Sequence, residues 1–113
     1  MAWFRWRRQR AGGRRAFRED ENHLRTWASP RRGVEAFVEP RTAVTETTVV
    51  LVAADGEWTR RRVAGPEAAR KLARSLRIPL YDVQLVGYPQ RMRDYDARRR
   101  ALRDRERRKN LGT

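Results

Sequence analysis

A chain of 113 residues has room for one small domain, and 28 basic residues against 14 acidic ones give it a formal charge of +14. The absence of cysteine excludes a disulfide framework, a thiol nucleophile and a cysteine metal site. The longest aliphatic run, Val49 to Ala54, is six residues, far below the roughly 20 that a membrane span needs, so a cytoplasmic protein with no membrane partner is expected.

The charge sits at the ends. Residues 1–33 carry ten arginines against Glu19, Asp20 and Glu21, and residues 91–113 carry ten basic residues against four acidic ones. The middle, 34–90, is close to neutral, with eight basic and seven acidic residues. A neutral core between two cationic ends suits a polyanion, because each neutralised phosphate releases counterions. The layout divides the chain into a basic arm (1–42), an α/β domain (43–93) and a basic C-terminal helix and tail (94–113). About half the chain is left for a core, so marginal stability is expected, with a partner helping to hold the fold.

Met1 to Arg18 interleaves Trp3, Phe4, Trp6 and Phe17 with arginines and is interrupted by Gly12-Gly13. The composition predicts an arm that is irregular by itself and orders on RNA. Arg5, Arg7, Arg8, Arg10, Arg14 and Arg15 would lie on phosphates, and Trp3 and Trp6 would stack on bases. A solvated tail and adsorption to a membrane surface are the competing readings. Arg7-Arg8 runs on into more arginine and Gly12-Gly13, which argues against a twin-arginine export signal. Phe17, Leu24 and Trp27 are loosely at helical spacing and allow a short helix over 15–28. Val34 to Val38 is either a helical turn or an extended piece before Glu39-Pro40. His23, the sole histidine, reads as a surface residue.

The core begins near Thr45. Thr47 to Ala53 predicts a strand covered on both faces, and Ala54-Asp55-Gly56-Glu57 a tight two-residue hairpin turn. Trp58 to Val63 returns with Trp58, Arg60 and Arg62 on one side and Thr59, Arg61 and Val63 on the other. Three arginines mark it as an edge strand, with Arg60 and Arg62 either guarding the edge or touching phosphate. Gly65-Pro66-Glu67 starts a helix that runs to Arg77. Its apolar stripe is Ala69, Leu72, Ala73 and Leu76, and its basic back is Arg70, Lys71, Arg74 and Arg77. Tyr81 to Tyr88 reads as a third strand, Gly87-Tyr88-Pro89 as a turn, and Arg91-Met92 as a short fourth strand. The fold class is α+β: a small ββαβ(β) sheet with one covering helix, β-grasp-like, between an irregular arm and a long basic helix.

Ala54-Asp55-Gly56-Glu57, Gly65 to Ala73, Ile78 to Val83, and Pro89 with Arg91-Met92-Arg93-Asp94-Tyr95 resemble the amino-terminal domain of bacterial translation initiation factor three. The resemblance covers about 50 residues, and 65–83 align without a gap. The family's cysteine is absent here, Pro89 to Asp94 is one residue short, and Asp96 replaces a glycine. The family's carboxyl-terminal domain has no counterpart in this sequence, so the activity it carries, preventing subunit association, is not implied. What the resemblance implies is docking on the small ribosomal subunit near ribosomal RNA and initiator tRNA. It would use Arg70, Lys71, Arg74 and Arg77, the loop Tyr88, Arg91 and Arg93, and the basic helix with Tyr95, Arg98, Arg99 and Arg103.

From Arg93 to Lys109 three acid-before-base pairs, Asp94–Arg98, Asp96–Arg100 and Asp104–Arg108, support a helix at about 0.2–0.5 kcal/mol each. Met92, Tyr95 and Leu102 form too thin a stripe for a core element, so this helix is either solvated or laid on a polyanion. No nucleotide-binding loop, dinucleotide fingerprint, metal-spaced histidine set or nucleophile–base pair occurs. The expectation is a non-enzymatic, ribosome-associated RNA-binding protein without cofactor or small-molecule substrate, neighboured by ribosomal proteins or tRNA. The alternative is a protein-interaction module docking on an acidic or apolar partner through Trp3, Trp6, Trp27 and Trp58.

Overall fold

The computed structural model describes the backbone of residues 2–112 and the side chains of residues 15–112. In chain order the elements are α1 (Ala2–Ala28), β1 (Glu35–Glu39), β2 (Thr48–Val52), β3 (Trp58–Arg62), α2 (Pro66–Leu76), β4 (Leu80–Asp82), α3 (Val83–Val86) and α4 (Gln90–Leu111). The four strands form one mixed sheet in the order β3-β2-β1-β4. β1–β2 and β2–β3 are antiparallel, while β4 joins β1 in parallel after the α2 crossover.

β2 is the centre of the molecule. Its unbroken apolar run has alternate residues in two different cores, as the two-residue period of a strand requires. Val49 and Leu51 pack with Ala36, Val63, Leu24, Ala28, Ala69 and Leu72 beneath α1 and α2. Val50 and Val52 pack on the opposite face with Phe37 and Met92, flanked by Trp58 and Tyr88. The sheet is therefore a middle layer, with α1 and α2 on one side and the root of α4 on the other.

The expected irregular arm is a correction. Residues 2–28 are one helix, and 35–39 are an interior strand paired on both edges. Leu24 and Ala28, one turn apart, reach the core at 0% and 9% exposure, which anchors the helix more firmly than its arginine-rich composition indicates. Gly12 and Gly13 lie inside it, since a cost of about 1 kcal/mol per glycine does not end a helix rich in alanine and arginine. The extended alternative for Val34–Val38 is the one adopted, with Phe37 on the α4 face and Ala36 on the α1 face.

Three local expectations also differ. The hairpin loop has three residues, Ala54 to Gly56, closed by Ala53 N–H to Glu57 O (2.8 Å) and Gly56 N–H to Ala53 O (2.9 Å). Asp55 Oδ1 accepts from Glu57 N–H, and Gly56 takes the positive φ of 93° that such a loop needs. The third strand stops at Asp82, whose side chain accepts from Gln84 N–H at 2.8 Å and starts the short α3 instead. The fourth strand at Arg91-Met92 is absent, because Pro89, extended at φ −68°, is the N-cap of α4. The Cα radius of gyration is 17.1 Å, against about 13 Å for a compact domain of this size, and long helices extending past a small sheet account for the excess.

His23 on α1 lies 2.8 Å from Thr59 Oγ1 of β3. Burial, then the charge of Arg61, holds its pKa below the ordinary 6.5, with Asp20 pulling the other way. The unfolded chain therefore takes up the proton first, so His23 supports the fold above pH about 6.5 and withdraws that support as pH falls. His23→Gln is expected to flatten the fall in melting temperature between pH 7 and 5, and an unchanged slope would exclude this role.

Candidate nucleic-acid interface

The first two turns of α4 are bolted to the sheet. Met92 is buried. Arg91 donates to Glu35 Oε1 at 2.6 Å and to Ala53 O at 3.0 Å. Trp58 Nε1 donates to Asp96 Oδ1 at 2.8 Å, and Arg98 donates to Asp55 O at 2.9 Å. Gly56 lets the helix cross the hairpin, since a Cβ there would meet Arg91 O at 2.0 Å and Tyr95 Cβ at 2.9 Å.

Beyond Arg98 this anchoring ends. Every residue from 97 to 112 is exposed, and this run holds eight basic residues and only Asp104 and Glu106 as acids. The acid–base pairs expected along the helix do not form. Asp94 accepts from Gln90, Asp96 from Trp58, and no ion pair joins Asp104 to Arg108. The reason is competition: the sheet engages Asp96 and Arg98 before their helical partners can. Arg99 and Arg103 stand free to solvent as expected, and so do Arg100, Arg105, Arg107 and Arg108, which sequence reasoning passed over. Their signal was available, because no apolar residue in this run is spaced to bury a face.

A second basic surface is the back of α2. Lys71, Arg74 and Arg77 are exposed, and Arg70 is exposed but pairs with Glu67 at 2.7 Å. It lies on the face of the sheet opposite to α4, so the predicted residues form two separate surfaces.

The remaining candidates divide sharply. Arg60 is held bidentately by Glu39 at 2.7 and 3.0 Å and stacks over Trp58. Arg62 lies between Asp20 (3.8 Å) and Glu46 (3.7 Å), and Arg61 reaches Asp20 at 3.4 Å. Burial alone would raise the pKa of Glu39, but hydrogen bonds from Arg60, Thr48 and Tyr88 outweigh it and hold the carboxylate below its usual range. Tyr88 donates its hydroxyl to Glu39. Arg60 and Tyr88 are therefore tied to Glu39 and Arg91 to Glu35 within the fold. Arg93 is exposed beside Gln90, and half-buried Tyr95 has Arg98 over its ring. Arg15 is exposed on α1. The side chains of Trp3, Arg5, Trp6, Arg7, Arg8, Arg10 and Arg14 lie outside the described residues.

Among the described residues every aromatic ring except Tyr81 is buried or half-buried. Trp27 sits under Arg31 at 4.2 Å and Trp58 is engaged by Asp96, so neither is a free stacking platform. No cluster of His, Asp or Glu among the described residues could hold a metal ion, and no described helix is long and apolar enough to cross a membrane. A cavity of about 500 Å³ opens between the C-terminal ends of α1 and α2, lined by Arg25, Arg31, Ser29 and Ser75. Arg25 already donates to Ser75 there at 2.7 Å, and two helix C-termini disfavour an anion. What the molecule offers is exposed guanidinium groups on helices, a chemistry suited to phosphate. The chain matches no family model, no curated protein and no solved structure.

Proposed function

We propose that the protein is a non-enzymatic RNA-binding protein of the cytoplasm that works on the ribosome. It would contact RNA of the small subunit as an accessory component or an initiation-type factor. The observation that carries the reading is the run of exposed, carboxylate-poor arginines on α4, held on a rigid root. A helix with almost no apolar contact and strong self-repulsion is stabilised by a polyanion and by little else. The choice of the small subunit rests on the resemblance of residues 65–83 to the initiation factor domain.

The protein is expected to co-sediment with the small subunit near 50 mM salt and to lose about 10³–10⁵ in affinity by 200 mM. A chain truncated after Ala97 should no longer co-sediment. Free migration of the intact protein at low salt would overturn the reading, and partners that survive nuclease digestion would favour a protein-docking module. With Trp27 and Trp58 engaged internally, that module has lost two of its four anchors.

A further inference from the structure

The free half of α4 is basic all round its axis, and a second exposed cationic surface stands on the other side of the sheet. On α2 the residues Ala69, Leu72 and Ala73 are buried, so Arg70 and Arg74, one turn apart, lie on the outer face. Lys71 stands beside them and Arg77 follows at the C-cap, and all four are exposed. Glu67 pairs with Arg70 at 2.7 Å, an exposed ion pair of the kind that contributes little. Four cations and one acid leave this face a net charge of +3.

α2 covers the sheet face that holds Val49 and Leu51, and α4 crosses the face that holds Val50 and Val52. Two helix widths of about 10 Å each, with the sheet between them, separate the outer surfaces, more than twice the Debye length of about 8 Å. A single RNA passing from one surface to the other has to round the sheet. At the β3 edge Arg60 is held by Glu39, Arg61 by Asp20, and Arg62 by Asp20 and Glu46. At the β4 edge residues 80–90 contain no basic residue, and Asp82 with the exposed Tyr81, Leu85 and Val86 has nothing that attracts phosphate. On the loops at the strand ends the exposed arginines are Arg32 and Arg41.

Resting on the RNA-binding reading above, we infer that the back of α2 is a second RNA site, independent of α4, and that the protein joins two separate RNA segments through its two faces. The α2 site takes phosphate backbone, because the helix carries no aromatic side chain on which a base could stack. The sheet acts as the spacer that holds the two segments apart.

The test tethers protein-free small-subunit ribosomal RNA to beads and supplies a fluorescent RNA hairpin in solution with the full-length protein near 50 mM salt. The unaltered protein is expected to stay on the beads and to bring the hairpin with it. Lys71→Gln/Arg74→Gln should be retained within about threefold of the unaltered protein but capture about tenfold less hairpin per protein retained. Arg99→Gln/Arg100→Gln/Arg103→Gln/Arg107→Gln should itself be retained about tenfold less. The substituted side chains are exposed, and glutamine has a similar helix propensity, so both helices are left intact. Arg32→Gln/Arg41→Gln removes the loop charges and should change either quantity by less than about threefold. An equimolar mixture of the α2 and α4 variants should not restore capture.

Undiminished capture by the α2 variant would overturn the second site. A loss as large in the loop variant would replace two independent sites with one continuous track. Restored capture in the mixture would place the two sites on different copies of the chain. Retention of the unaltered protein without the hairpin would overturn the bridge alone, whereas failure of the unaltered protein to stay on the beads would bring down the RNA-binding reading as well.

Discussion

Leu24→Ala is expected to destabilise the protein by about 3–5 kcal/mol, the range for a leucine truncated in a core that cannot collapse around the gap. Leu24 is 0% exposed and packs with Val49, Leu51, Val63 and Leu72. In a domain of this size the loss corresponds to a fall in melting temperature of roughly 10 °C or more, read by circular dichroism. The effect separates two views of the N-terminal third. An arm that only orders on a partner would tolerate the change within about 0.5 kcal/mol, whereas a helix that closes one face of the sheet cannot. Thr26, exposed two residues further along the same helix, supplies the control: Thr26→Ala should leave the melting temperature almost unmoved.

Gly56→Val should break the other face. The new Cβ would stand 2.0 Å from Arg91 O and 2.7 Å from its carbonyl carbon, both main-chain atoms of α4 that cannot rotate away. The backbone at φ 93° also excludes a β-branched residue. Together these are expected to cost about 3 kcal/mol or more and to lift α4 from the hairpin, releasing Trp58 from Asp96 and Arg91 from Glu35. The Trp58 indole should then become accessible to a fluorescence quencher. Gly65→Ala is the matched control, since its Cβ meets nothing within 4 Å. Equal stability of the two variants would show that α4 does not depend on this close approach.

Sequence patterning reads well where one residue type has one job. β2, β3 and α2 lie within a residue or two of their expected limits, because the apolar run 49–52, the arginines of 60–62 and the Ala69–Leu72–Ala73 stripe each have a single structural meaning. The edge position of β3 and the exposed back of α2 follow from the same signals. Legibility fails where the deciding contact is distant. Leu24 and Ala28 are two small signals in a field of arginine, and only the sheet beneath them makes α1 part of the core. Asp82 looks like one more strand residue until its carboxylate is seen capping Gln84. In the candidate interface, arginines look alike in sequence. What distinguishes Arg60 and Arg91 from Arg99 and Arg103 is whether Glu39 or Glu35 lies within reach, and those carboxylates come from β1, the strand whose form was left open.

The root of α4 also sets a lever. From Met92 to Leu111 the helix rises about 1.5 Å per residue, so a tilt of about 10° at the root swings its tip by roughly 5 Å, about one turn of the helix. The direction of the helix is therefore decided at the sheet, by the half-buried Arg91–Glu35 pair and the Trp58–Asp96 hydrogen bond. Residues at the root thus fix where the far end points, and a change at Glu35 would redirect every arginine downstream while leaving each one intact.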